Sequence, residues 1–155
     1  MTVAQIAAIV AIVGAGVVYG TDVFCALVLR PALARVDDAA LTSVVGSIHR
    51  FGDKRMPIPG VVGLVGSVAA VVFAAIDGRP LASALAGAAF ALLAIWLVLY
   101  LRISAPINRV FTAAADRNET LPDARALQRS WDRIITLRAA LQGLAVLALS
   151  VSLLS

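Results

Sequence analysis

Long apolar stretches alternate with polar, arginine-bearing connections along the chain. Four such stretches run from about Val3 to Leu29, Pro57 to Ile76, Leu81 to Leu101 and Ile134 to Leu154. About 20 helical residues, rising 1.5 Å each, cross a hydrocarbon core roughly 30 Å thick, and each stretch is long enough. Backbone amides in lipid must find partners within their own segment, and the period of two expected of barrel strands is absent. The pattern therefore predicts an all-α, four-transmembrane-helix bundle. Met1 to Leu29 carries no Lys or Arg and is too long for the apolar core of a signal peptide, so it is read as a retained span.

The connections carry patterns of their own. Asp37 or Asp38 can cap a helix in which Leu41, Val44, Val45 and Ile48 recur at helical spacing. That predicts an amphipathic helix in the first loop, lying along the membrane interface or against the bundle. Pro106 begins a helical turn that continues to about Ala115, and Asn118 to Pro122 reads as a break. From Asp123 nothing interrupts a last helix of about 32 residues, near 48 Å, which would protrude well beyond the membrane. Gly16 and Gly20, then Gly60, Gly63 and Gly66, then Ala84, Gly87, Ala88 and Ala91 are the expected close helix contacts.

Composition agrees with the pattern. Of the 155 residues 61% are hydrophobic and 14% charged, and mean hydropathy is +0.96. A soluble chain of this length could not bury that much apolar surface, so lipid must solvate the excess, and a single membrane domain fills residues 1–155. The net charge of +4 raises the question of nucleic acid. Its distribution answers it, because the basic residues border the apolar runs, where they act as topology signals and contacts for anionic lipid. The first and third connections, with the start of the last helix, hold twelve Lys and Arg residues, whereas the short second connection holds only Arg79. The positive-inside rule then puts the long loops in the cytoplasm and both termini outside, in a multi-pass cell-membrane protein. Twelve Arg against one Lys, with abundant Ala, suits a GC-rich bacterial genome and so a bacterial inner membrane.

Charges inside a span are expensive and mark candidate chemistry. Asp22 and Arg138 lie at similar depth, roughly 8–12 Å from the same edge, and are expected to face the interior and pair. Tyr19 precedes Asp22 by three residues and Gln142 follows Arg138 by four, so each shares a helical side with its charge. Trp96 and Tyr100 approach the same depth on the third span. Tyr19, Asp22, Tyr100, Arg138 and Gln142 together describe either a satisfied polar network or a pocket opening toward the cytoplasm. Cys25 stands alone in an apolar run and His49 is the single histidine, so neither a disulfide framework nor a metal site can be built. His49 is expected at the interface, in water. No cofactor fingerprint is present.

Order and spacing of short motifs resemble the anthrone-oxygenase-like family of small four-helix membrane proteins. The stretches that carry the resemblance are Gly20-Thr21-Asp22-Val23-Phe24, then Arg30-Pro31-Ala32-Leu33-Ala34-Arg35, Ser104-Ala105-Pro106-Ile107-Asn108, and Trp131 to Arg138. Asn108, Trp131 and Arg138 match the family's pattern, which implies structural or pocket-lining roles. Ser104 stands where the family has Asn, and Ile135 where it has His. The resemblance implies oxygenation of anthrones without metal or flavin. Such chemistry needs a side chain able to take a proton, and Ile135 removes the obvious one, so the activity does not carry over directly.

Three functions follow as expectations. The first is a non-catalytic membrane protein, either an accessory subunit of a larger membrane complex or homo-oligomer, or a binder of a lipophilic small molecule. The second is a cofactor-independent oxygenase of anthrone-like polycyclic phenols, and the third a small transporter component. The lipid bilayer is a partner in every case.

Overall fold

Five helices build the computed structural model, which describes residues 1–155. They are α1 (Val3–Leu33), α2 (Asp38–Arg55), α3 (Pro57–Ile76), α4 (Pro80–Asp116) and α5 (Ala124–Ser152), and there is no strand. All but α2 are long and apolar enough to cross a membrane. The four pack in a ring in chain order, α1 on α3, α3 on α4, α4 on α5 and α5 back on α1. Their outward faces are apolar, with Val13, Val65, Ile95 and Leu144 each more than half exposed. Such surface belongs in lipid.

Local chemistry sets the helix ends. The Thr2 hydroxyl accepts from Gln5 N–H, and the Gln5 side chain returns the bond to the Thr2 N–H, a complete capping box. Of the two expected caps for α2, Asp37 does the work, accepting from Ala40 N–H at 2.7 Å. Pro57 and Pro80 open α3 and α4 in the first turn, where the missing N–H is not needed. Gly78, at φ +67°, makes the tight turn between those helices. Asn118, at φ 54°, begins the expected break before α5.

Pro106 does not start a new helix. α4 runs through it by widening to a π-type turn at Tyr100–Ser104, where Ala105 N–H donates to the Tyr100 carbonyl. α1 does the same at Cys25–Leu29, with Arg30 N–H on the Cys25 carbonyl, just before Pro31. A proline cannot serve the carbonyl four residues back, and the extra residue in the preceding turn keeps the helix continuous.

Because α3 has 20 residues while α1, α4 and α5 have 31, 37 and 29, three helices overhang the bundle at one end. α2 packs against the α4 overhang there, and α5 carries the expected extension. Its first turns are covered rather than bare: Ala124, Trp131 and Ile135 join Leu33, Leu41, Val45 and Phe111 in a buried apolar cluster. Arg125 ties the assembly together, donating to the Leu33 and Val36 carbonyls and to Asp38. The buried face of α2 is Leu41, Thr42, Val45 and Gly46. Val44 and Ile48, expected on that face, are instead 43% and 40% exposed. The helix is rotated because bare Gly46 seats the backbone of α4, and a Cβ there would lie 2.5 Å from the Phe111 carbonyl oxygen.

The other half of the bundle closes on small side chains, Ala8, Ala11, Ala15, Ala70, Ala86, Ala89 and Ala145, with Leu93 and Leu149. Gly63 and Gly66 meet Ala15 and Ala11 as expected of contact residues. On α1, however, the contact is Gly14, whose added Cβ would come within 2.7 Å of the Gly63 nitrogen, while a Cβ added at Gly16 or Gly20 would meet nothing within 4 Å. On α4 the buried stripe is Ala82, Ala86, Ala89 and Leu93, and the expected Ala84, Ala88 and Ala91 face outward.

Candidate functional site

The wide turns of α1 and α4 and the middle of α5 converge between the two cores. Asp22 and Arg138 pair there at 2.8 Å, with 3% and 4% of each residue exposed, as their common depth predicts. An isolated ion at that depth would be driven to neutralise or to open the fold, so the pair needs further partners. Gln142 Nε2 donates to Asp22 Oδ2 at 2.6 Å and Trp96 Nε1 to the same oxygen at 3.3 Å. Arg138 Nη1 donates to Ser104 Oγ at 2.6 Å. The guanidinium also lies 5.5 Å from the ring centres of both Tyr100 and Trp131, a cation–π arrangement on two sides. Arg138 Nε and Gln142 Oε1 have no hydrogen-bond partner.

A second carboxylate stands beside this network. Asp53 of α2 accepts from Tyr100 Oη and from Asn108 Nδ2, each at 2.9 Å. Asn108 Oδ1 in turn accepts from Trp131 Nε1 at 3.0 Å. One turn before Asp53, His49 packs its ring 5.8 Å from that of Trp131. Burial pushes the His49 imidazole down to about 4, Asp53 opposing the shift and Arg138 reinforcing it, so it is neutral at pH 7.

These groups wall one end of a cavity of about 270 Å³. Val18, Leu64 and Leu97 line it, as do Ile48, Val61 and Leu101, which also stand 40–56% exposed on the outer surface. Asp22, Tyr100, Asn108, Trp131 and Arg138, all anticipated from the sequence, form or border the polar end. Gln142 lies behind Asp22 and supports it. Tyr19 does not take part: its ring fills the space over Gly143 on α5, 3.0 Å from where a Cβ would be. Ile135 is fully buried in the apolar cluster and lies outside the cavity wall. Asp53 was not anticipated from the sequence, and His49, expected at the interface in water, also lines this cavity. The one available signal was their spacing of four on a helix joined directly to a span.

The arrangement can hold an apolar body in the cavity and read one polar group at its end. Comparison with protein-family models, curated proteins and solved structures returns no match to the chain.

Proposed function

We propose that this chain is a multi-pass cell-membrane protein that binds a compact lipophilic small molecule beside the Asp22–Arg138 pair. The cavity carries the proposal: an apolar body of about 270 Å³ ending in a fixed polar wall. Ligand pockets usually measure roughly 300–1,000 Å³, so the occupant is a small ring system or short chain rather than a whole lipid. The arginine asymmetry supports cytoplasmic long loops and external termini. In the Ala-packed half the buried polar side chains are Ser67 and Ser152, and each hydroxyl is spent on a carbonyl of its own helix, which favours a binder over a pore. The covered start of α5 likewise favours a binder over a subunit that docks through a bare helix.

The test is extraction and mass spectrometry of the protein purified in lipid nanodiscs. A specific lipophile should accompany the wild type and be depleted in Leu64→Trp, which fills the cavity. Identical extracts from both would end the proposal.

A second reading, the cofactor-independent oxygenase of anthrone-like phenols, is favoured by one observation. His49 is a neutral base in the cavity wall, reached from α2 instead of from position 135 on α5. With the motif resemblance, it makes dioxygen uptake with an anthrone, lost in His49→Gln, the discriminating assay.

A further inference from the structure

On the far side of His49 and Asp53 lies a second hollow, about 530 Å³, lined only by polar residues. Arg50, Lys54, Arg109, Thr112 and Asp116 complete it, and Arg50 pairs with Asp116. Lys54 and Arg109 are exposed, so this basin belongs to water. His49 and Asp53 line both hollows. Spaced one turn apart on α2, they stand between an apolar chamber and an aqueous one. Three apolar residues that line the other chamber, Ile48, Val61 and Leu101, are also exposed on the outer surface of the protein.

We propose that the cavity is a two-phase site. A lipophile bearing one hydrogen-bonding group enters sideways from the bilayer past Val61 and Leu101. That group is held against His49 and Asp53, where it exchanges protons with the water of the basin. The inference rests on the binding function proposed above and adds the route and the orientation of the ligand. In the exchange, a proton passes from the ligand heteroatom to an imidazole nitrogen of His49, whose other side releases one to basin water. The electron pair stays on the ligand, and no oxidant is involved.

The charges around these two residues suit this role. Asp53 faces His49 from its own helix, with Arg50 and Lys54 flanking it there. Arg109 and Asp116 face it from α4, Arg138 from α5, and Asp22 lies behind Arg138 on α1. Asp22 and Asp116 are each matched by an arginine. Asp53 has neutral hydrogen-bond donors instead. A histidine that burial keeps unprotonated at neutral pH passes a proton on rather than storing it.

His49 is the single histidine, so its imidazole Hε1 gives one NMR line that needs no residue assignment. The protein in nanodiscs, labelled at histidine, is titrated in buffer and then exposed to indole dissolved in the lipid. The expected result is one line that moves continuously with pH, with a midpoint near 4, and a saturable shift of that line at pH 7 on adding indole. Val61→Trp and Leu101→Trp, both at residues exposed on the outer surface, should each abolish most of the indole shift and leave the titration intact. A line that ignores buffer pH, or splits into slowly exchanging forms, overturns the aqueous side. Absence of an indole shift in the wild type, or a full shift in both tryptophan variants, overturns the lateral route. The ligand proposal fails separately, by the absence of any enriched native lipophile while the imidazole behaves as described.

Discussion

Asp22 and Arg138 are the two charged residues among the buried side chains of a largely apolar bundle. Each is more than nine-tenths buried, and each satisfies the other at 2.8 Å. Removing one partner leaves a charge in low dielectric, a loss of about 3–5 kcal/mol, whereas removing both leaves two neutral amides. Asp22→Asn and Arg138→Gln should therefore each lower thermal stability in detergent strongly, and the double variant should fall well short of the sum. Additive losses would show that the two ions do not depend on one another. The pair was legible because charged residues within apolar runs are rare and their depth can be counted from the nearest loop arginines. Tyr19 was misjudged on the same helix. Three residues on a helix turn through about 300°, so a side chain grouped with Asp22 by spacing still lies some 60° away. That offset carries it to Gly143.

At the scale of elements, close approach depends on which small residue faces the neighbour. Gly14 has the backbone of α3 within 2.7 Å of any added Cβ, while Gly16 and Gly20 have open space. Gly14→Ala should push α1 off α3 and depress the melting temperature. Gly16→Ala and Gly20→Ala should leave it unchanged or raise it, since alanine is the better helix former by about 1 kcal/mol. Equal effects from all three would contradict the packing. The existence of every helix could be read from the sequence, because hydropathy and caps are local. The contact faces could not: α4 is so rich in Ala and Gly over Ala82 to Ala91 that several stripes look alike, and only neighbouring helices choose among them. The same limit hid Asp53 and His49. Their burial comes from docking α2 onto α4 through Gly46, a long-range contact that no local pattern announces. The wide turns were likewise hidden, since a proline at Pro106 reads as a boundary until the helix around it is seen to continue.

Across the whole molecule the chain repeats one plan. A span ends in a wide turn, Cys25–Leu29 or Tyr100–Ser104, with a proline two residues after it, at Pro31 or Pro106. A polar helical segment then packs against its counterpart from the other half, α2 against the end of α4, and a returning span follows. Both halves thus send their polar segments to the same end, which gathers the arginines there and builds the site at that end. The opposite end has only Arg79, which donates to the Ser152 and Ser155 carbonyls at the close of α5. A cation engaged with helix-terminal carbonyls satisfies the last turn. On the proposed orientation, the twelve cations at the site-bearing end would hold it in the cytoplasm, and because they are spread over both halves, neither half would invert without the other resisting. Alkaline phosphatase fused after Ser155 should accordingly be active in cells, and a green fluorescent protein fused there should be dark. Fusions truncated within the segment between Asn118 and Pro122 should show the reverse. A fluorescent C-terminal fusion would put the site on the outer face, and the basin around His49 would then exchange protons with the exterior.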